Sequence, residues 1–302
     1  MTTPVITDTG RAAAILRAGG IVAIPTETVY GLAAVATDTA AVRRVFAAKG
    51  RPADHPLIVH VSDTAMASRY GLMTDDALAL AGAHWPGPLT LLLERTPLVD
   101  DVVTGGRDTV AVRVPDHPMA LEVIRALGEG LVAPSANRFG HVSPTGATHV
   151  LDDLEGMIDA VLDGGTCRIG VESTIVDCTA ELQILRPGAV TAGDVFAATG
   201  KRPTAAHGES RAPGMLASHY APRARVILVD DPNDVEGAVH GRKSTVIGNG
   251  IPDDEYAARL YRLMREADDL GSEVIVAILP RGEGIAAAIR DRLRKAAADT
   301  NG

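Results

Sequence analysis

The sequence is poor in cysteine: among its 302 residues only Cys167 and Cys178 occur, and they form no CxxC pair. Two cysteines at this spacing exclude a disulfide framework and argue against a zinc site built from cysteines. Aromatic residues are scarce as well, at 3%, and no run of five or six like charges occurs. The formal net charge is −9, so the chain lacks the strongly basic surface of a dedicated nucleic-acid-binding protein. Any anion site must therefore be local.

Long apolar runs and several familiar motifs are also absent. No apolar stretch reaches the roughly 18 residues that a membrane-spanning helix needs, and the N-terminal MTTPVITDTGR has no basic region followed by an apolar core. We therefore expect a cytoplasmic protein without a membrane segment. The P-loop pattern, HExxH and GxSxG do not occur, so a phosphate site would need another device.

The first two hundred residues contain many short strand-like segments with few helices between them, which predicts a twisted mixed α/β sheet. Helices are expected at 9–18 and 39–48, and strands at 21–25, 56–61, 89–93, 109–114, 131–133, 160–162, 174–177 and 183–185. Residues 199–223 lose this periodicity and are rich in Pro, Gly, Ala and Ser, which indicates a linker. Beyond it, strands at 224–229, 244–247 and 273–279 alternate with helices, which predicts a small Rossmann-like domain with a parallel sheet.

Two polar motifs lie at the ends of predicted elements. PTETVYG at 25–31 follows a buried-type strand and supplies hydroxyls and a carboxylate, although a plain polar turn explains it equally well. In KGRPADHPLIVH at 49–60, Lys49 and Arg51 flank Gly50 on a loop stiffened by two prolines, which suits a phosphate chain. Lys49 alone is also explained as the cation at a helix C-terminus, and His60 as a histidine of the core.

Two further motifs end strands that are otherwise apolar. In TVAVRVP at 109–115, alternation puts the three valines on one face and Arg113 on the other. A buried arginine needs an anionic partner, either a ligand or a structural carboxylate. APSANRFGHVSPT at 133–145 offers hydroxyl and amide groups that can bind phosphate oxygens. With Ser173 and Arg186, these motifs supply cations and hydroxyls but no nucleophile–base pair, which favours electrostatic stabilisation of phosphoryl or nucleotidyl transfer.

Seven motifs in chain order resemble those of the YrdC-like domain of L-threonylcarbamoyladenylate synthases: PTETVYGL, KGRPxxxPLIVH, TVAVRVPDHP, APSAN, SPT, ESTIVD and LRPG. APGMLASHYAP at 212–222 resembles the linker of the long, two-domain branch of that family. The resemblance implies a YrdC-like catalytic domain at 1–205, whose twisted sheet forms a large open cavity. It also implies a linker or lid at 206–223 and a small Rossmann-like C-terminal domain at 224–302.

The resemblance further implies a nucleotidyltransferase that converts L-threonine, bicarbonate and ATP to L-threonylcarbamoyl-AMP and pyrophosphate, the first step in N6-threonylcarbamoyladenosine modification of tRNA. Mg²⁺ is expected with ATP, without protein ligands, and the implied partner is a downstream threonylcarbamoyl-transferase complex. Two alternatives are an RNA-binding module and a carbamoyl-transfer module of the hydrogenase-maturation type. The net charge of −9 and the lack of a basic, aromatic-studded stripe count against the first, and the lack of zinc-finger cysteines against the second.

Transferred residue by residue, the resemblance implies three overlapping groups of site residues. The catalytic signature would consist of Lys49, Arg51, Ser135 and Asn137. L-Threonine would be bound by Thr28, His60, Arg113, the Ala133 backbone and Ser173, with Arg113 on its carboxylate. ATP would be bound by Arg51, His55, Thr109, Ser135, Ser143, Arg186 and the linker residue Tyr220.

Overall fold

The computed structural model describes residues 2–206, 212–213, 220–239 and 241–298. The predicted linker at 206–223 is therefore described only in part, because its segments 207–211 and 214–219 lie outside the described residues. The domain boundaries stay predictions. Among the described residues, no helix is both long and apolar enough to cross a membrane, and the cytoplasmic location also stays a prediction.

The first domain is built from short strands and helices that follow one another closely. In chain order they are β1 (Val5–Ile6), α1 (Thr9–Arg17), β2 (Val22–Ile24), β3 (Gly31–Val35), α2 (Thr39–Lys49), β4 (Ile58–His60), α3 (Thr64–Tyr70), α4 (Asp75–His84), β5 (Leu89–Glu94), α5 (Asp101–Thr104), β6 (Thr109–Arg113), α6 (Pro118–Leu127), β7 (Leu131–Val132), α7 (Ala147–Leu154), β8 (Ala160–Leu162), β9 (Thr174–Asp177), β10 (Gln183–Arg186), α8 (Ala192–Thr199) and β11 (Thr204–Ala205). The strands form one sheet in the order β1-β8-β2-β3-β7-β4-β6-β5-β9-β10-β11. Parallel pairs such as β4 with β6 and antiparallel pairs such as β5 with β6 both occur, which confirms the predicted mixed α/β sheet.

The expectation of few helices between the strands was wrong, because helices α3 to α8 were not predicted. In α4, DDALALAGAH, alanines dominate and no clear apolar stripe forms, although Thr74 caps the helix by accepting from the backbone N–H of Ala77. In α6, Pro118 occupies the first turn, where its missing N–H removes no helical hydrogen bond. From the sequence alone, the same proline is typical of a loop.

The valines of TVAVRVP pack on one side of the sheet, as the alternation predicted. They belong to the main core cluster of the first domain, whereas Ala111 belongs to a smaller cluster on the other side with Ile58, Leu92 and Ile175. Arg113 ends β6 on the side of Ala111. The alternation therefore places a guanidinium group at a strand end, away from the main core.

The second domain has a three-stranded parallel sheet between helices, as predicted. Its elements are β12 (Arg225–Val229), a 3₁₀ turn (Pro232–Asp234), α9 (Val235–Val239), β13 (Ser244–Ile247), α10 (Asp253–Asp269), β14 (Val274–Ile278) and α11 (Ile285–Ala298). The strand order is β12-β14-β13. The apolar faces of α10 and α11 form one cluster with Val29, Val142 and Val171 of the first domain. The two domains therefore share a buried apolar contact.

Candidate active site

Strand ends and loops of the first domain line one cavity, with a volume of about 60 Å³. The predicted site residues that line it are Thr28, Arg51, His60, Arg113, Ala133, Ser135, Arg186 and Tyr220. Ligand pockets of drug size typically measure roughly 300–1,000 Å³. The large open cavity implied by the resemblance is thus narrow in this conformation, where Pro213 and Tyr220 form part of its wall.

Two other predicted residues, Ser143 and Ser173, do not line the cavity but form hydrogen bonds with side chains that do. The hydroxyl of Ser143 donates to Oε1 of Glu172 at 2.7 Å. The hydroxyl of Ser173 accepts from Nη2 of Arg186 at 3.0 Å. Glu172 and Arg186 both line the cavity, so each serine lies one side chain away from it.

His55 and Thr109 lie elsewhere. The His55 ring packs beside Phe139 with their centroids 5.3 Å apart. Thr109 lines a separate pocket together with Glu94, Arg95 and Asp108. The structure therefore brings most of the predicted ATP group together, whereas His55 and Thr109 do not line the cavity in this conformation.

Arg113 is held by three groups of the first domain. Its Nη2 lies 2.6 Å from Oε1 of Glu27 in an almost completely buried ion pair. Its Nη1 donates to the hydroxyl of Thr28 at 2.9 Å, and its Nε donates to the carbonyl of Gly87 at 3.2 Å. The structural ion pair is therefore confirmed, yet Arg113 also lines the cavity, and Nη2 makes no hydrogen bond of good geometry among the described residues. Donors thus remain for a ligand carboxylate.

His60 lies directly beside Arg113, because β4 and β6 pair in parallel with these two residues in register. Burial is the main cause that lowers the pKa of His60, to about 3, and the charge of Arg113 adds to it. The imidazole is therefore neutral at physiological pH. Its Nδ1 lies 3.3 Å from the carbonyl oxygen of Ile58. A neutral ring at the cavity can donate at one nitrogen and accept at the other without adding charge.

Arg51 and Arg186 bring two more guanidinium groups to the cavity. Arg51 follows Gly50, whose left-handed backbone (φ 61°) ends α2, and its Nη2 donates to the carbonyl of Pro56 at 3.1 Å. Nε of Arg186 donates to the carbonyl of Ser173 at 2.9 Å. Burial lowers the pKa of both groups, to about 10 for Arg51, where the charge of Arg186 acts in the same direction. A bound polyanion would offset both effects.

The ammonium group of Lys49 is buried against the loop that follows β7. Its Nζ donates to the carbonyl oxygens of Ser135 and Asn137, at 2.5 and 2.6 Å. In return, the backbone N–H of Phe139 donates to the carbonyl of Lys49 at 2.8 Å. Burial lowers the pKa of Lys49 well below its usual value. Lys49 therefore fixes this loop, and its action on phosphate stays a prediction.

Asn137 and Gly31 contribute to the position of the loop that follows β7, the first through its side chain and the second through its close approach from β3. The side-chain N–H groups of Asn137 donate to the carbonyls of Arg138 and His141, at 2.9 and 2.8 Å. A Cβ atom added to Gly31 would lie 2.9 Å from the Cβ of Ala133, closer than real side chains approach. The glycine therefore allows β3 to lie close to the backbone of Ala133, at the cavity wall.

Three residues at this site were missed from the sequence. Glu172 lines the cavity and accepts from the hydroxyl of Tyr261 (2.8 Å) and from Nε of Arg292 (2.7 Å), both in the second domain. The only local signal for Glu172 is an acidic residue directly before the predicted Ser173. Tyr261 and Arg292 carry no local signal, because they are 89 and 120 positions from Glu172.

The carboxylate that lines the cavity, Glu172, and the neighbouring carboxylate of Glu27 are already paired. Glu27 contacts Arg113, and Glu172 contacts Arg292. Among the residues that the structure describes, no group of three or more His, Cys, Asp or Glu side chains is arranged to hold a metal ion. These residues do not fit a resident Mg²⁺, which prefers unpaired carboxylates and water. The expected Mg²⁺ stays a prediction, as an ion carried by the phosphates of ATP.

The sequence motifs and this geometry match known proteins over nearly the whole chain. Residues 14–188 match the Sua5/YciO/YrdC family model, described as telomere recombination. Residues 181–298 match the C-terminal domain of threonylcarbamoyl-AMP synthase. A threonylcarbamoyl-AMP synthase from Pyrococcus abyssi is 42% identical over 314 residues, which cover 94% of this chain and 92% of the relative. The chain belongs to the threonylcarbamoyl-AMP synthase family.

Other members of the family agree in sequence and in structure. The threonylcarbamoyl-AMP synthase of Bacillus subtilis is 39% identical, with 95% of this chain and 92% of the relative covered. The crystal structure of P. abyssi Sua5 complexed with L-threonine superposes with a TM-score of 0.92 at 38% identity, covering 99% of this chain and 98% of that one. The YrdC-like fold with a C-terminal domain, inferred from the motifs, is thereby confirmed.

Proposed function

We propose that this chain joins L-threonine, bicarbonate and MgATP to give L-threonylcarbamoyl-AMP and pyrophosphate, the first step of N6-threonylcarbamoyladenosine formation in tRNA. One observation carries the proposal: the guanidinium groups of Arg51, Arg113 and Arg186 converge on one cavity of a protein with a net charge of −9. Membership of the threonylcarbamoyl-AMP synthase family supports the reaction. The L-threonine in the P. abyssi relative supports the amino-acid substrate.

Threonine would lie at the ends of β4 and β6. Its carboxylate would accept from the guanidinium of Arg113, which lines the cavity and has more N–H groups than its three partners in the protein use. The neutral ring of His60 would contact a polar group of threonine without repelling its ammonium. The remaining proposed threonine contacts are Thr28, the Ala133 backbone and Ser173.

The reaction would proceed in two steps. The ammonium of threonine first loses a proton to water, and the free amine then attacks the carbon of bicarbonate; a C–N bond forms and water leaves, which gives a carbamate. A carbamate oxygen then attacks the α-phosphorus of ATP, and the bond to pyrophosphate breaks. The second step makes the enzyme a nucleotidyltransferase. Arg51 and Arg186 would stabilise the charge that develops on the leaving pyrophosphate.

ATP would occupy the part of the cavity that faces the linker. Its proposed contacts are Arg51, His55, Ser135, Ser143, Arg186 and Tyr220. Thr109 lines a different pocket in this conformation, and its contact with ATP stays part of the proposal. We further propose that a downstream threonylcarbamoyl-transferase complex consumes the acyl adenylate, and the acidic net charge gives no reason to assign direct tRNA binding to this chain.

The test is an assay of pyrophosphate release by the full chain with MgATP, bicarbonate and L-threonine. We expect release only when all three are present, with threonylcarbamoyl-AMP identified by mass spectrometry. Release without threonine or without bicarbonate would contradict the proposal. Tight RNA binding without any pyrophosphate release would favour the RNA-binding alternative instead.

A further inference from the structure

The last helix of the second domain places a charged side chain in the interior of the molecule. Arg292 on α11 is 0% exposed. Its Nε donates to Oε2 of Glu172 in the first domain at 2.7 Å, and its Nη1 contacts Asp291 at 2.5 Å. A buried guanidinium is tolerated only when it is paired and hydrogen-bonded. The pairing partner across the domain boundary is a residue of the cavity wall.

Glu172 joins the two domains through one carboxylate. Oε1 accepts from Ser143 of the first domain at 2.7 Å, while Oε2 accepts from Tyr261 at 2.8 Å and from Arg292. Burial alone would raise the pKa of Glu172, but Arg292 and Arg186 lower it to about 2. The group is therefore a carboxylate at any physiological pH, and its two oxygens are fixed by donors from opposite sides.

The same two residues of the second domain also hold Tyr220. Its ring stacks on the ring of Tyr261 with centroids 5.6 Å apart, and the guanidinium of Arg292 lies 5.4 Å from its centroid. Tyr220 has a positive φ of 67°, a backbone conformation that a bulky residue keeps only when its surroundings fix it. The contacts from Tyr261 and Arg292 supply such a constraint.

We infer that Tyr261 and Arg292 are positioning residues for the nucleotide. They fix Glu172, and through it Ser143, and they hold Tyr220 at the cavity wall, so that these two residues assigned to ATP are held in place before ATP arrives. Neither Tyr261 nor Arg292 is among the described residues that line the cavity. Both therefore act through other side chains. The inference rests on the proposed function, because it assigns Ser143 and Tyr220 to ATP.

A simpler explanation is that Arg292 only holds the domains together. Arg265, on the same helix as Tyr261, provides the matched comparison. It also crosses the domain boundary, with Nη2 2.9 Å from Asp153 and 2.5 Å from the carbonyl of Val142. Arg265 lines a different cleft between the domains, together with Asp153. If docking alone mattered, the loss of Arg265 and the loss of Arg292 would affect the enzyme alike.

The experiment compares Tyr261→Phe, Arg292→Lys and Arg265→Gln in the full-length chain. KM for ATP and KM for threonine are measured from pyrophosphate release, ATP binding by calorimetry without threonine, and Tm for each variant. We expect KM for ATP to rise about threefold in Tyr261→Phe and roughly tenfold in Arg292→Lys, because the charge-assisted hydrogen bonds to Glu172 are lost or misaligned. KM for threonine should change less than about twofold, and Arg265→Gln should leave both constants within that range, because Arg265 is paired with Asp153 and the carbonyl of Val142 and not with Glu172.

Unchanged KM for ATP in Tyr261→Phe and Arg292→Lys would overturn the inference. Equal increases of both KM values, matched by Arg265→Gln, would also overturn it, since that result indicates general domain docking. If Arg292→Lys does not fold, Tyr261→Phe decides alone, because it removes a single hydroxyl group. The wild-type chain separates the two proposals: if it neither binds ATP nor releases pyrophosphate, the proposed function fails, whereas normal wild-type binding with unaffected variants rejects only the positioning role.

Discussion

Glu27 and Arg113 form an ion pair at 2.6 Å in which both side chains are buried, with 1% and 4% of their surfaces exposed. The carboxylate of Glu27 makes no hydrogen bond of good geometry among the described residues, so charge is the main contribution of this side chain. Arg113 therefore has a permanent counter-ion on one side and, in the proposed function, the carboxylate of threonine on the other. Because both carboxylates would pair with the same guanidinium, we expect bound threonine to stabilise the protein more when the carboxylate of Glu27 is removed.

Glu27→Gln should destabilise the free protein by about 3 kcal/mol, because removing one partner leaves a buried charge unpaired. L-Threonine should then raise Tm more in the variant than in the wild type, since its carboxylate becomes the remaining counter-ion. Thermal unfolding with and without threonine measures both effects. Threoninol, which lacks the carboxylate, should give no such gain.

The matched control is Asp116→Asn, which breaks the exposed ion pair between Asp116 and Arg168. Exposed pairs contribute at most about 1 kcal/mol, so stability and the response to threonine should stay close to the wild type. An equal threonine-induced shift of Tm in Glu27→Gln and wild type would show that Arg113 does not bind the substrate carboxylate.

Lys49→Met should lower both pyrophosphate release and stability. The substitution leaves the carbonyls of Ser135 and Asn137 without their buried donor, at a cost of about 1–3 kcal/mol each.

Arg51→Met should abolish pyrophosphate release while changing the unfolding free energy by less than about 1 kcal/mol, because burial already disfavours the charge of Arg51. Urea unfolding and the release assay separate the two cases. Lost activity with wild-type stability in Lys49→Met would instead favour direct action of the ammonium on phosphate.

Gly31→Ala should destabilise the protein by about 1–3 kcal/mol and raise KM for threonine. The new methyl would lie 2.9 Å from the Cβ of Ala133 and 3.2 Å from its carbonyl oxygen, so β7 must shift away from β3. The control is Gly82→Ala in α4, where nothing lies within 4 Å of the added atom. That change should stabilise the helix by about 0.5–1 kcal/mol. If both variants had wild-type KM for threonine, the tight approach at Gly31 would have no part in binding.

Part of the site could be predicted because several of its residues lie at the ends of strands, where side chains alternate between the two faces with a period of two. Arg113 interrupts the outward face of an apolar strand, and the structure places it at the cavity beside His60. The Lys49 motif was also found from its local pattern, but its partners were not. Carbonyl groups carry no sequence signature, so the contacts of Lys49 with Ser135 and Asn137 followed only from the folded loop.

The contacts between the domains could not be predicted for a physical reason. Arg292 looks like one of several cations on the last helix, and only the docking of α11 on the first domain buries it against Glu172. Local periodicity gives the face of a helix but not the partner of that face. The helices that were missed, such as α6 with Pro118 in its first turn, form where tertiary packing overrides weak local signals.

His60 should make the protein sensitive to acid. Its pKa is about 3 in the folded chain, lowered first by burial and then by Arg113, against 6.5 for an ordinary histidine. Below pH 6.5 the unfolded chain binds a proton that the folded chain cannot bind, so stability falls as pH decreases from 6.5 towards 3. At pH 5 this single group should have removed about 2 kcal/mol relative to neutral pH.

His60→Gln tests this sign and size through a double difference. The unfolding free energies of wild type and variant are measured by urea at pH 7 and pH 5, and every other titrating group cancels between the two proteins. We expect the variant to lose about 2 kcal/mol less than the wild type between the two pH values. An equal decrease of the unfolding free energy in both proteins would mean that His60 binds its proton in the folded state. The ring of His60 could then not serve as a neutral acceptor for threonine at the end of β4.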